Sequence, residues 1–181
     1  MKNKNIIRVV IVTVLLLMIP LIAMQFTNEV VWTLSDFIIA AALLLGTGLS
    51  YEFITRKSGN LAYRVAVGIA VGAALLLTWM NLAVGLIGNE NNPPNLMYIG
   101  VVAIELIGVA ISRFKPPGMM RALFATAFAQ AMVPVIAIII WKPEINLGVV
   151  QVIILNSFFV MLFVGSALLF RHASDTEKET Y

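Results

Sequence analysis

Glu105 stands in the middle of an otherwise apolar run, residues 96–112, where an ionisable side chain needs either a partner or a purpose. At helical spacing Tyr98, Glu105, Gly108 and Ser112 share one face, which is expected to point inward. The chemistry such a carboxyl suits is relay of a proton or a cation. Gln130 lies nine residues after Arg121 in the next apolar run, and Glu105 eight before Arg113. At 1.5 Å per residue both are expected about 12–14 Å from the arginine-bearing helix ends. A protonated Glu105 would then hydrogen-bond to Gln130. The plainer reading is an interhelical polar contact, worth about 1 kcal/mol.

A second polar layer is expected nearer the opposite ends of the runs. Thr78, Asn81, Gly85 and Gly88 fall on one helical face, and Gly68, Gly72 and Trp79 on the other. Asn156 and a helix loosened at Pro134 reach a similar depth. These residues fit the wall of a small cavity, and small residues on two faces fit close helix packing equally well.

Between the third and fourth runs lies GNENNPPNLMY, with Asn89, Glu90, Asn91, Asn92 and Asn95 crowded together. Gly88 suits the end of the incoming helix, Asn92 a cap on the next, and Pro93 and Pro94 its first turn. Glu90 among amide oxygens suggests a hard cation such as Ca²⁺. One carboxylate is a poor start for a site of six to eight oxygens, so the loop reads as turn chemistry and no metal is assigned.

No catalytic constellation accompanies these residues. The one histidine, His172, stands near the C-terminus, and cysteine is absent, which removes histidine-based triads, thiolate metal sites and disulfides. G-x-S-x-G, H-E-x-x-H and P-loop patterns are missing, as is a TVGYG filter. The sequence therefore predicts neither an enzyme nor a cofactor.

The elements that must position these residues follow from composition. Hydrophobic residues make up 61% of 181 positions and charged residues 12%, outside the balance of soluble domains. Six apolar runs, at about 7–26, 36–54, 65–87, 96–112, 121–141 and 149–170, approach the roughly 20 residues that cross a bilayer. They are too continuously apolar for alternating barrel strands, so an all-α integral membrane protein of six transmembrane helices is expected. The expected domain covers 1–171, with 172–181 a short solvated tail.

Eleven of the twelve basic residues fall on one side of these spans: Lys2, Lys4, Arg8, Arg56, Lys57, Arg64, Arg113, Lys115, Arg121, Arg171 and Lys178. Only Lys142 falls on the other, which predicts cytoplasmic termini. The net charge of +3 thus marks span ends, and no nucleic-acid partner is expected. Glu52, four residues before Arg56, is expected to pair with it. A basic start and apolar core also fit a signal peptide, but no A-x-A-like site follows Met24, so the first span reads as retained. GTG at 46–48 sits within a span and reads as a packing feature.

Arginines open the odd runs at Arg8, Arg64 and Arg121 and close the even ones at Arg56, Arg113 and Arg171. This near-constant period suggests three tandem helical hairpins, although short loops between basic helix ends give the same period without duplication.

The stretch TWMNLAVGLIGNENNPPNLMY, with GLSYEF before it and GMMRALFATAFAQ after it, resembles a group of small bacterial multi-pass inner-membrane proteins. The resemblance implies a bacterial cytoplasmic membrane and no particular activity. Two functions fit. The first is a non-catalytic interaction or structural membrane subunit, acting with a membrane-protein partner or as a homo-oligomer. The second is a small ion-coupled transporter or permease using Glu105 in the membrane core. Neither reading names a substrate.

Overall fold

The computed structural model describes residues 3–56, 58–142 and 146–179. Six α-helices follow one another: α1 Asn3–Phe26, α2 Leu34–Thr55, α3 Leu61–Ala83, α4 Met97–Ser112, α5 Pro116–Trp141 and α6 Leu147–Glu179. A single 3-10 turn, Pro93–Leu96, leads into α4. All six helical stretches are long and apolar enough to cross a membrane, which makes this a multi-pass membrane protein. Of the basic residues used to orient the spans, Lys2 and Lys57 lie outside the described residues.

Several boundaries differ from the sequence expectation for identifiable reasons. The third helix ends at Ala83 rather than near 87, because Gly85 takes φ +70° and both Val84 and Gly85 return their N–H to the Met80 carbonyl. The fifth begins at Pro116 rather than 121, two prolines occupying the first turn where the missing N–H groups cost nothing. The sixth runs on to Glu179, so the expected tail is helical up to that residue, with Ala173 and Ser174 buried.

Internal contacts divide the chain into two compact units, Met1–Lys57 and Ser58–Tyr181, a finer division than the single domain read over 1–171. In the first unit α1 and α2 form a hairpin. Gly48 of α2 lies so close to α1 that an added Cβ would stand 2.6 Å from Val9 Cγ1, in keeping with the packing role read for GTG, whereas Gly46 meets nothing. Thr33 and Asp36 cap α2 reciprocally, each accepting from the other's backbone N–H. Glu52 does not pair with Arg56. It accepts a 2.6 Å bond from Asn5 Nδ2, and the Arg56 guanidinium lies 4.5 Å from the Phe53 ring centre. An amide carried in by α1 thus takes the carboxylate, and the arginine stacks on an aromatic face instead.

In the second unit α6 packs against both α5 and α3, and α4 packs against α5. Contact between α3 and α4 is light, so three equivalent hairpins are not evident in the packing. The core stripe of α3 runs through Tyr63, Ala66, Val67, Ala70, Ala73 and Leu77, with Gly72 in open space. Ala66, Ala70 and Ala73, rather than Gly72, provide the close surface there.

One end of this unit is fixed by Tyr63. Its hydroxyl donates to the Phe114 carbonyl at 2.8 Å, and its ring meets Phe170 edge-on at 5.2 Å. The chain neighbours of these three residues are Arg64, Arg113 with Lys115, and Arg171. Arg64, Arg113, Lys115 and Arg171 therefore gather at one end, whereas Lys142 and the loop of Asn95 lie toward the other.

Candidate functional site

The helices of the second unit are apolar around most of their circumference, so a polar side chain on an inward stripe has no water to turn to. Tyr98, Val101 and Glu105 form the buried stripe of α4, and Thr126, Gln130 and Val133 belong to that of α5. Asn156 and Ser166 occupy the α6 stripe with Phe159 and Phe163.

Asn156 is the centre of this interior. Its Nδ2 donates to the Val152 carbonyl at 2.8 Å, which fixes the orientation of the amide, because a carbonyl can only accept. Its Oδ1 must then accept, and it takes 2.9 Å from Gln130 Nε2 and 3.2 Å from the Tyr98 hydroxyl. Nδ2 also lies 3.0 Å from the Tyr98 hydroxyl oxygen. Three helices are joined through one amide. With Nε2 committed to Asn156, Gln130 presents Oε1 to the interior, and this buried oxygen has no partner.

Glu105 is placed apart from this trio. The expected Glu105–Gln130 hydrogen bond is absent, and Glu105 Oε2 is likewise buried without a partner, the residue being 4% exposed. The reason lies in the helix register. A Cβ on Gly108 would lie 2.7 Å from Ala122 Cβ, which sets those two positions level. Counting 1.5 Å per residue from there, Glu105 rises about 4.5 Å and Gln130 about 12 Å, so they are separated by about 7–8 Å along the unit. Because α5 starts at Pro116, Arg121 lies inside the helix and is not level with Arg113. Counting depth from the arginines therefore erred by about one helical turn.

Pro134 deepens the imbalance at Gln130. It is buried within α5 and carries no N–H to return to the Gln130 backbone carbonyl four residues earlier. Toward the far end, Asn81 Nδ2 donates to the Asn95 carbonyl at 3.3 Å, which leaves Asn81 Oδ1 buried and unpartnered. The three buried side-chain atoms without partners among the described residues, on Asn81, Glu105 and Gln130, are all oxygens. What is missing from the interior is therefore hydrogen-bond donors or positive charge.

Comparison with family models, with curated proteins and with solved structures finds no match. The site must be judged on its own chemistry.

Asn95 governs the asparagine loop. It is buried, accepts from Ile87 N–H at 2.9 Å, and donates to the carbonyls of Ile87 at 3.2 Å and Asn89 at 2.6 Å. Asn92 stands before the 3-10 turn but makes no side-chain cap; its Nδ2 donates to the Ile87 carbonyl at 2.8 Å. Asn89 and Glu90 accept from Asn91, at 3.1 and 3.2 Å. The side-chain amides of Asn92 and Asn95 thus close the loop on its own backbone, and that of Asn91 on Glu90.

Sequence reasoning missed three interior residues. Ser166 Oγ donates to the Ala66 carbonyl at 2.8 Å, Thr126 Oγ1 bonds back to the Ala122 carbonyl at 3.0 Å, and Tyr63 ties the basic end. Their signal was present for Thr126, four residues before Gln130 and so on the same face. Tyr63 and Ser166 pair across more than 50 residues of sequence, which no local pattern reports.

Proposed function

We propose that this protein is a small membrane carrier or permease in which Glu105 receives a proton or a cation on its passage through the second unit. The observation that carries this reading is the buried Glu105 oxygen without a donor. An interhelical polar clamp is built from groups that bond to one another, and the Tyr98–Asn156–Gln130 trio, apart from Gln130 Oε1, is such a clamp. Glu105 is not part of it. A carboxyl kept in an apolar interior with no partner there matches the intramembrane acidic groups of proton and ion pathways. Gln130 Oε1 and Asn81 Oδ1 extend the same deficit of donors toward the asparagine loop. The grouping of Arg64, Arg113, Lys115 and Arg171 at the Tyr63 end supports placing that end on the cytoplasmic side, with the loop opposite.

Reconstitution in liposomes tests this: the wild type passes protons or monovalent cations down an imposed gradient and Glu105→Gln does not. Equal background leakage in both would end the proposal.

A second reading, as an interaction or structural subunit, draws on the first unit. Its buried residues among those described are Thr13, Ala40 and Thr55. Leu15, Ile19 and Ile38 are 58%, 63% and 60% exposed, which offers apolar surface to lipid or to a partner or second copy. Co-purification in mild detergent distinguishes this reading: a stoichiometric membrane partner supports it, and recovery of the chain alone at every expression level opposes it.

A further inference from the structure

At the basic end of the second unit, the α4–α5 contact is flanked by a groove of about 390 Å³. Its walls include Gly108, Ile111, Ser112 and Ala122, and Lys115 and Arg121 stand on its lining. No acidic side chain contributes to it, and the first turn of α5 has none. The groove is thus apolar along one part and doubly cationic at the other, which is the polarity of an anionic amphiphile.

The cationic part is held by a defined turn. Arg113 and Phe114 both take left-handed conformations, φ 49° and 62°, unusual for residues with a Cβ. Three hydrogen bonds offset that strain: Lys115 N–H to the Ser112 carbonyl at 3.0 Å, Phe114 N–H to Ser112 Oγ at 3.1 Å, and Tyr63 hydroxyl to the Phe114 carbonyl at 2.8 Å. Lys115 is therefore fixed at the start of α5, and Arg121 follows six residues later. Beside them Ile111 is 77% exposed, and Gly108 packed against Ala122 forms a smooth apolar wall.

We propose that this groove binds an anionic phospholipid, with the phosphate between Lys115 and Arg121 and the upper part of one acyl chain along Ile111, Gly108 and Ala122. Charge complementarity selects the headgroup and the apolar wall selects a lipid over a free anion. Basic pockets between membrane helices bind anionic headgroups by this chemistry, each basic residue adding to the preference.

The test uses the purified full-length chain in mild detergent, with thermal unfolding and native mass spectrometry read after adding dioleoyl phosphatidylglycerol, dioleoyl phosphatidylcholine or inorganic phosphate. Phosphatidylglycerol is expected to be retained with an apparent affinity on the order of tenfold above phosphatidylcholine, and phosphate alone to have no effect. Lys115→Gln with Arg121→Gln should abolish the preference, and Arg64→Gln with Arg171→Gln, at the same end but outside the groove, should keep it. Should the first pair fail to fold, the wild type in high salt serves, since screening must remove a preference that rests on exposed charges. Equal retention of the two lipids, a preference that survives Lys115→Gln/Arg121→Gln or high salt, or stabilisation by inorganic phosphate alone would overturn the proposal.

Discussion

Gln130 gives its amide hydrogen to Asn156 across 2.9 Å and by doing so turns its own oxygen toward an interior that has no donor for it. The same bond that joins α5 to α6 thus creates part of the acceptor-rich interior in which Glu105 sits.

Asn156→Ala should be the most damaging single change in the trio. It leaves Gln130 Nε2 and the Tyr98 hydroxyl without their common partner, so a loss of about 1–3 kcal/mol is expected. Tyr98→Phe removes one contact and should cost about 1 kcal/mol or less. Equilibrium unfolding in a mild mixed-detergent system gives both numbers. A cost for Tyr98→Phe equal to that of Asn156→Ala would mean that Asn156 is not the centre.

Close approach of α4 and α5 at Gly108 predicts a size limit. Gly108→Val should destabilise the protein, because even the first added carbon would meet Ala122 Cβ at 2.7 Å. Ala122→Gly in the same molecule should restore part of the loss. A double variant no more stable than Gly108→Val alone would show that the two helices do not meet there.

The asparagine loop depends on two residues that a sequence reader would treat as ordinary turn formers. Gly85 holds φ +70°, and a Cβ there would lie 2.4 Å from the backbone of Asn89; Gly85→Ala is expected to cost about 1–3 kcal/mol. Asn95→Ala removes three hydrogen bonds that close the loop. Limited proteolysis should cut 86–92 faster in either variant, and unchanged protection would contradict this account of the loop.

The legible part of this structure was the part written in runs of one residue class. Six spans, their order and the gathering of arginines follow from hydropathy and charge, because lipid demands continuous apolar helices and leaves the cations at their ends. Tyr98, Glu105, Gln130 and Asn156 were also legible as unusual residues in their settings, and all four are buried. Their partners were not. Which helix carries Gln130's acceptor depends on the register of α5 against α4 and α6, and that register is set by two prolines at 116 and 117 and by the contact of Gly108 with Ala122. Asn5 taking Glu52 from Arg56 is the same lesson in the first unit: a local i, i+4 rule gave way to a side chain 47 positions away.

If Glu105 receives a moving proton or cation, flux through the reconstituted protein depends on its carboxyl. Wild type, Glu105→Gln and Tyr98→Phe are placed in liposomes at matched density, and decay of an imposed pH gradient and of a potassium or sodium gradient is followed by internal dyes. The wild type is expected to dissipate at least one of these gradients, Glu105→Gln to lower the rate by about tenfold or more, equivalent to some 1.4 kcal/mol of barrier, and Tyr98→Phe to retain most of it. Wild-type rates no faster than those of empty liposomes for every ion, or a Glu105→Gln protein as active as the wild type, would contradict this role of Glu105.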